Sequence, residues 1–164
     1  MRESIGSVVL VVVVAALLVR PWEIELGGEE PVEVRAPVVR VVDGDTFEAR
    51  VGGAVEDVRL IGVDTPETVK PGAPVECFGP QASRFAHRLL AGRTVRLVFG
   101  AERRDKYGRL LAYAYLDERM VNAALVRRGL ARTLAITPNT RFAERFARLE
   151  REAARASRGL WDVC

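Results

Sequence analysis

The stretch Arg59-Leu60-Ile61-Gly62-Val63-Asp64-Thr65-Pro66-Glu67 puts one arginine and two carboxylates within nine residues. It begins as an apolar, β-branched strand and ends at a corner that proline stiffens. Such a set is a costly way to build a core, because buried charges need partners. It is well suited to holding a metal ion beside an anion. Two further clusters are of the same kind, Asp43-Gly44-Asp45-Thr46 and Asp105-Lys106-Tyr107-Gly108-Arg109. Taken singly, each has a plainer reading: an Asp-Gly hairpin, a capped helix start with proline in its first turn, a polar turn between strands. Taken together, Asp45, Asp64 and Glu67 lie at strand ends, and a small barrel brings such ends to one rim. Carboxylates with a backbone carbonyl make an all-oxygen site for Ca2+ or a similar hard cation. Arg59 and Arg109 carry forks that match a phosphate. A carboxylate beside the metal but not fully engaged by it can position and deprotonate water.

The elements that must hold these clusters are legible from periodicity. Val38–Val42, Thr46–Val51, Val55–Val63, Val95–Phe99 and Leu110–Leu116 read as strands, with Gly52-Gly53 as a hairpin turn. Thr68–Pro80 is rich in proline and glycine and reads as a long irregular loop. Ala82, Phe85, Ala86, Leu89 and Leu90 mark one face of a helix ending at Gly92. Met120–Arg128 reads as a second helix, stopped by Gly129. A third, after Pro138-Asn139-Thr140, carries Phe142, Phe146, Leu149 and Ala153, with Gly159 as its stop. This pattern predicts an α+β domain that is mainly β: a five-stranded barrel of the OB type with three α-helices.

With 164 residues, 49% of them hydrophobic and 29% charged, the chain suits one folded domain and is too short for two comfortable cores. The net charge of +3 permits a polyanionic partner without requiring one. Residues 5–19 form an almost unbroken apolar run flanked by Arg2 and Arg20, short for a membrane span and right for a secretory signal. No good cleavage site follows, so a cleaved signal peptide and an uncleaved anchor both remain open over residues 1–22. Residues 23–37, with their glutamates, glycines and prolines, read as a linker, and residues 38–164 as the globular domain. Export fits the two cysteines: an even pair in an oxidising compartment suggests one disulfide, Cys77–Cys164, as against two separate thiols. Two cysteines and the single His87 are too few for a zinc centre. His87 reads as a surface residue, Trp161 as packing for the last helix, and the arginines of that helix as a solvated face.

In order and spacing, the three acidic and basic clusters resemble the staphylococcal nuclease (thermonuclease) family. So do Phe78-Gly79-Pro80-Gln81-Ala82-Ser83 and Val121-Asn122-Ala123-Ala124-Leu125-Val126-Arg127-Arg128-Gly129-Leu130-Ala131. The similarity runs from about Val38 to Trp161. It implies a monomeric Ca2+-dependent phosphodiesterase on an OB-fold barrel, acting on single-stranded or frayed DNA and RNA with little sequence preference. By position, Asp45, Asp64 and the main-chain oxygen of Thr65 correspond to ligands of one Ca2+ ion, and Asp43 to their support. Glu67 corresponds to the general base, Arg59 and Arg109 to the arginines on the scissile phosphate, and Lys106 and Tyr107 to contacts with a terminal phosphate. One departure is visible. Where the family's prototype has a Tyr-x-Tyr pair, this chain has Leu134-Ala135-Ile136, which predicts weaker hold on short nucleotides, since stacking is worth about 1–3 kcal/mol per base. The alternative is a non-catalytic OB-fold nucleic-acid-binding module; a degenerate copy would have lost some of Asp45, Arg59, Asp64, Glu67 and Arg109, and all are present.

Overall fold

The alternation of Phe47 and Ala49 buries both residues completely and leaves Arg50 outside, which makes Thr46–Val51 a half-buried strand, β2. Its partner β3, Ala54–Leu60, returns antiparallel through Gly52 and Gly53, whose positive φ angles of 58° and 90° suit a tight turn. The computed structural model describes residues 32–68, 72 and 74–164. The expected signal or anchor and most of the expected linker lie outside these residues.

Before the hairpin comes β1, Glu33–Val41; after it come β5, Thr94–Arg104, and β6, Leu110–Leu116. These five strands run in the order β3-β2-β1-β5-β6, with the two-residue β7 (Arg119–Met120) paired beyond β6, and a parallel pairing of β3 with β6 closes them into a barrel. Closure removes the open sheet edges. The barrel interior is filled by Phe47, Val58, Leu60, Val95, Leu97, Ala112 and their neighbours. Among the described residues, three helices of seven residues or more pack on it: α1 (Gly79–Leu90), α2 (Val121–Arg127) and α3 (Ala143–Arg155). Phe146, Leu149 and Ala153 are the buried stripe of α3. Tyr113 of β6 meets the ring of Phe142 edge-on at 4.7 Å.

Four boundaries differ from the expectation. β1 begins at Glu33, so residues 33–37 are strand rather than linker; they pair with β5 from Glu33↔Val98 to Pro37↔Thr94, with Ala36 buried and Glu33 bound to Arg96. Composition hid this, because glutamate and proline are poor strand formers that a barrel neighbour overrides. β5 in turn runs on to Arg104, with an irregular register between Phe99 and Arg104. The third strand does not run through to Val63. It breaks at Gly62, whose φ is 76°, and the chain resumes as β4, Gly62–Asp64, which pairs with β8, Arg132–Leu134, in a separate two-stranded sheet. A Cβ at Gly62 would lie 2.7 Å from the Phe146 ring, so this corner takes no larger residue without repacking α3. Gly159 does not stop the third helix, which ends at Arg155; it opens a four-residue helix α4, Leu160–Val163.

Asn122 shows how α2 holds the corner. Fully buried, it accepts a hydrogen bond from Ala114 N–H and donates one to the carbonyl of Ile61, at 3.0 and 2.9 Å. The backbone just before Gly62 is thereby fixed to β6, and with it the direction in which Asp64 leaves the barrel. Cys77 and Cys164 are joined in a disulfide, with their Cα atoms 5.9 Å apart.

Candidate active site

Asp43 and Asp45 stand in the bend between β1 and β2. Asp43 accepts hydrogen bonds from Gly44 N–H at 2.8 Å and from the Thr68 hydroxyl at 2.7 Å, tying this bend to the chain beyond β4. Gly44 is required here by space: a Cβ would lie 2.7 Å from the Thr65 side chain. Thr65 uses that room to donate both its N–H (2.7 Å) and its hydroxyl (2.9 Å) to Asp45 Oδ2. Asp43, Asp45 and Thr65 are all buried.

Arg59 projects from the last turn of β3 into the same place. One guanidinium nitrogen lies 2.9 Å from Asp45 Oδ2 and donates to the Val63 carbonyl at 2.8 Å; the other lies 2.7 Å from Asp64 Oδ1. Two carboxylates, one from the β1–β2 bend and one from the chain segment Gly62–Asp64, therefore converge on a single cationic group. Burial pushes the Asp43 carboxyl above the ordinary aspartate range, with Asp45 adding to the shift against hydrogen bonds from Thr68 and Gly44. Asp64 is raised as well, by burial first; Asp45 and Glu76 add to it, and Arg59 opposes it. For Asp64, burial outweighs the Arg59 guanidinium 2.7 Å away. All of the donors are oxygens, so the residues fit a hard divalent cation. Among the described residues no group of three or more His, Cys, Asp or Glu is arranged to hold a metal ion.

Glu67 lies one residue past Pro66, and its carboxylate accepts from Thr68 N–H at 2.9 Å. Arg109 begins β6's approach from the opposite side. Its Nε donates to Asp105 Oδ2 at 2.7 Å, while Asp105 Oδ1 accepts the N–H groups of Tyr107 and Arg109. Asp43, Asp45, Arg59, Asp64, Thr65, Glu67 and Arg109, drawn from separate parts of the chain, line one cavity of about 290 Å³. A second cavity, of about 330 Å³, shares Arg59 and Arg109 with it and extends over Lys106, Tyr107, Leu134 and Ile136. The two arginines are thus the boundary between a carboxylate-lined chamber and a largely apolar one. Tyr107 is exposed, with Lys106 Nζ at 5.0 Å and the Arg109 guanidinium at 5.5 Å from its ring centre.

The chain matches the family model described as staphylococcal nuclease homologue over residues 57–163. It is 38% identical over 160 residues to the thermonuclease of Staphylococcus hyicus, a match covering 93% of this chain and 95% of that protein. This chain belongs to the staphylococcal nuclease family. A thermonuclease of Staphylococcus intermedius is 44% identical over 125 residues, covering 76% of this chain and 74% of that one. Endonuclease YncB of Bacillus subtilis is 39% identical over 130 residues, covering 78% of this chain and 62% of that one. The protein is a nuclease, a hydrolase of phosphodiester bonds. Of the residues expected from sequence to serve it, Asp43, Asp45, Arg59, Asp64, Thr65, Glu67 and Arg109 share one cavity, while Lys106 and Tyr107 line its neighbour.

Two residues that support these side chains carry little or no sequence signal of their own. Asp105 reads as a turn residue, yet it also aims Arg109. Glu76 lies nine positions from Glu67, across a loop without periodicity, and its carboxylate accepts Glu67 N–H at 3.1 Å. An Asx-type turn pattern at Asp105-Lys106-Tyr107 was the one available hint for the first; nothing local announces the second. The expected face of α3 is altered too, since Glu150 accepts from Thr133 N–H and hydroxyl rather than pairing with a neighbouring arginine.

Asp105 carries a pH prediction. Burial alone would raise its carboxyl, but hydrogen bonds from Arg109 and Tyr107, with the Arg109 charge, take it below the ordinary 3.8. A depressed acid stabilises the fold fully above 3.8, and that contribution is lost as pH falls through its lower folded value. Asp105→Asn is therefore expected to cost about 1 kcal/mol at neutral pH and nothing once both forms are uncharged. Urea unfolding of both proteins, at neutral pH and well below the aspartate range, checks it.

Proposed function

We propose that this nuclease is exported, depends on Ca2+, and cuts DNA and RNA with little sequence preference, favouring single strands. The observation that carries the reading is the common cavity of Asp45, Asp64, Arg59, Glu67 and Arg109. Asp45, Asp64 and the Thr65 main-chain oxygen would hold the ion. A bound Ca2+ supplies charge compensation to the two aspartates and Lewis-acid stabilisation to phosphate oxygens. Glu67 accepts the proton of the attacking water as its oxygen bonds to phosphorus; the opposite ester P–O bond breaks, and the departing sugar oxygen takes up a proton from solvent. Arg59 and Arg109, at the junction of the two chambers, donate to the phosphate oxygens and stabilise the charge growing on them. Asp43 fixes the bend that carries Asp45.

The apolar chamber next to the arginines suits the sugar and base adjoining the scissile phosphate, with Lys106 and Tyr107 at a terminal phosphate. Its wall at Leu134 and Ile136 is aliphatic and partly exposed, offering contact area without base selection. An extended strand fits such an open edge better than a stacked duplex does. Export rests on the apolar run at residues 5–19 together with the disulfide, which persists in oxidising compartments. The test is hydrolysis of denatured DNA, duplex DNA and RNA by the folded domain. Cleavage is expected to need added Ca2+, to stop on chelation, and to be faster on denatured than on duplex DNA. Equal cleavage in excess chelator would overturn the metal assignment.

A further inference from the structure

We propose that the Cys77–Cys164 disulfide positions Glu67, acting through Glu76. The inference rests on the reading of Glu67 as the general base. Glu67 sits on the loop that joins β4 to α1, and the main chain there is held by a reciprocal pair of bonds. Glu67 N–H donates to the Glu76 carboxylate at 3.1 Å, and Glu76 N–H donates to the Glu67 carbonyl at 2.9 Å. Glu76 is in turn bonded through its carbonyl to Gly79 N–H at 3.0 Å, at the start of α1. Gly79 itself lies so close that a Cβ would meet the Glu67 and Pro66 carbonyls at 3.0 Å. The backbone beneath Glu67 thus leans on the segment 76–79.

That segment is exposed at Glu76 and Cys77. Hydrogen bonds in such a place open readily, because water competes for both partners and few apolar contacts resist. The covalent bond next to Glu76 supplies what packing does not. Cys77 is joined to Cys164, 87 positions on, at the end of α4. α4 is seated firmly: Leu160 is buried, Leu160 N–H donates to the Gly129 carbonyl at 2.8 Å, and Cys164 N–H closes on Leu160 at 3.1 Å. Gly159, just before it, packs so tightly on the Arg128 and Gly129 carbonyls that no side chain fits. The exposed half of the brace is therefore anchored to the end of α2, an element whose Asn122 also fixes the Ile61 corner. One body carries both the strand leading to Asp64 and the support of Glu67.

A disulfide that only tied down the C-terminus would affect stability and leave turnover unchanged. The two roles separate in the steady-state kinetics of Cys77→Ser/Cys164→Ser and of Glu76→Ala, measured on denatured DNA with saturating Ca2+ and well below each variant's Tm. Both are expected to lower kcat about tenfold with KM and the Ca2+ half-saturation unchanged, since small displacements of a catalytic group are costly. Combining them should cost little more than either alone, as coupled sites are not additive. In a Glu67→Gln background, removing the disulfide should leave the residual rate as it is. Wild-type kcat in the serine variant, with only Tm lowered, overturns the inference, and wild-type kcat in Glu76→Ala overturns the route through Glu76. Wild-type kcat in Glu67→Gln alone overturns the base assignment instead, whatever the disulfide does.

Discussion

Glu67→Gln is expected to lower kcat on denatured DNA by about 10²–10⁴-fold while leaving DNA affinity and the fold intact. The amide is nearly isosteric and can still accept the Thr68 N–H that the Glu67 carboxylate accepts at 2.9 Å. What it cannot do is take a proton from water. The main chain at this position is held from outside the side chain, by Glu76 and by the close approach of Gly79, so the loop should survive the exchange. The readout is kcat against KM, with Tm measured alongside. A loss carried by KM would mean that Glu67 binds substrate rather than reacting with water.

Arg59→Lys is the second large effect, an expected loss of about 10²–10³ in kcat. The guanidinium does several things at once. Its two terminal nitrogens reach Asp45 at 2.9 Å and Asp64 at 2.7 Å, and one of them also donates to the Val63 carbonyl at 2.8 Å. A planar fork spans those groups and can still present an edge to a phosphate in the adjoining chamber. An ammonium is a single point on a flexible stem and cannot bridge both carboxylates and face the phosphate together. Its side chain is also deeply set, only 13% exposed, so water does not make up for a lost donor. Full activity in Arg59→Lys would assign the arginine to structure alone.

The barrel was legible in the sequence because its strands alternate. Phe47 and Ala49 against Glu48 and Arg50, and the dense apolar run at Leu110–Leu116, leave little choice of element. The helices were legible from the stripes at Ala82, Ala86 and Leu90 and at Phe146, Leu149 and Ala153. What escaped was decided by contacts between distant segments. The corner at Gly62 takes a positive φ and has the Phe146 ring where a side chain would stand, and the separation of the two residues hides that. Glu33 belongs to the barrel through its register with Val98, against its own composition. The charged residues of the site were legible by type, while the groups that aim them, Asp105 and Glu76, looked like ordinary turn and loop residues. Positioning depends on geometry, and geometry was the part composition could not carry.

The most direct test of the account is a paired measurement on one preparation of denatured DNA in Ca2+: equilibrium binding and single-turnover cleavage, for the wild type and Glu67→Gln. The cavity described here predicts that the wild type binds and cuts, and that the variant binds as well but cuts slower by the factor given above. A wild type that binds DNA without cutting it under any divalent cation would contradict the account and leave a nucleic-acid-binding barrel in its place.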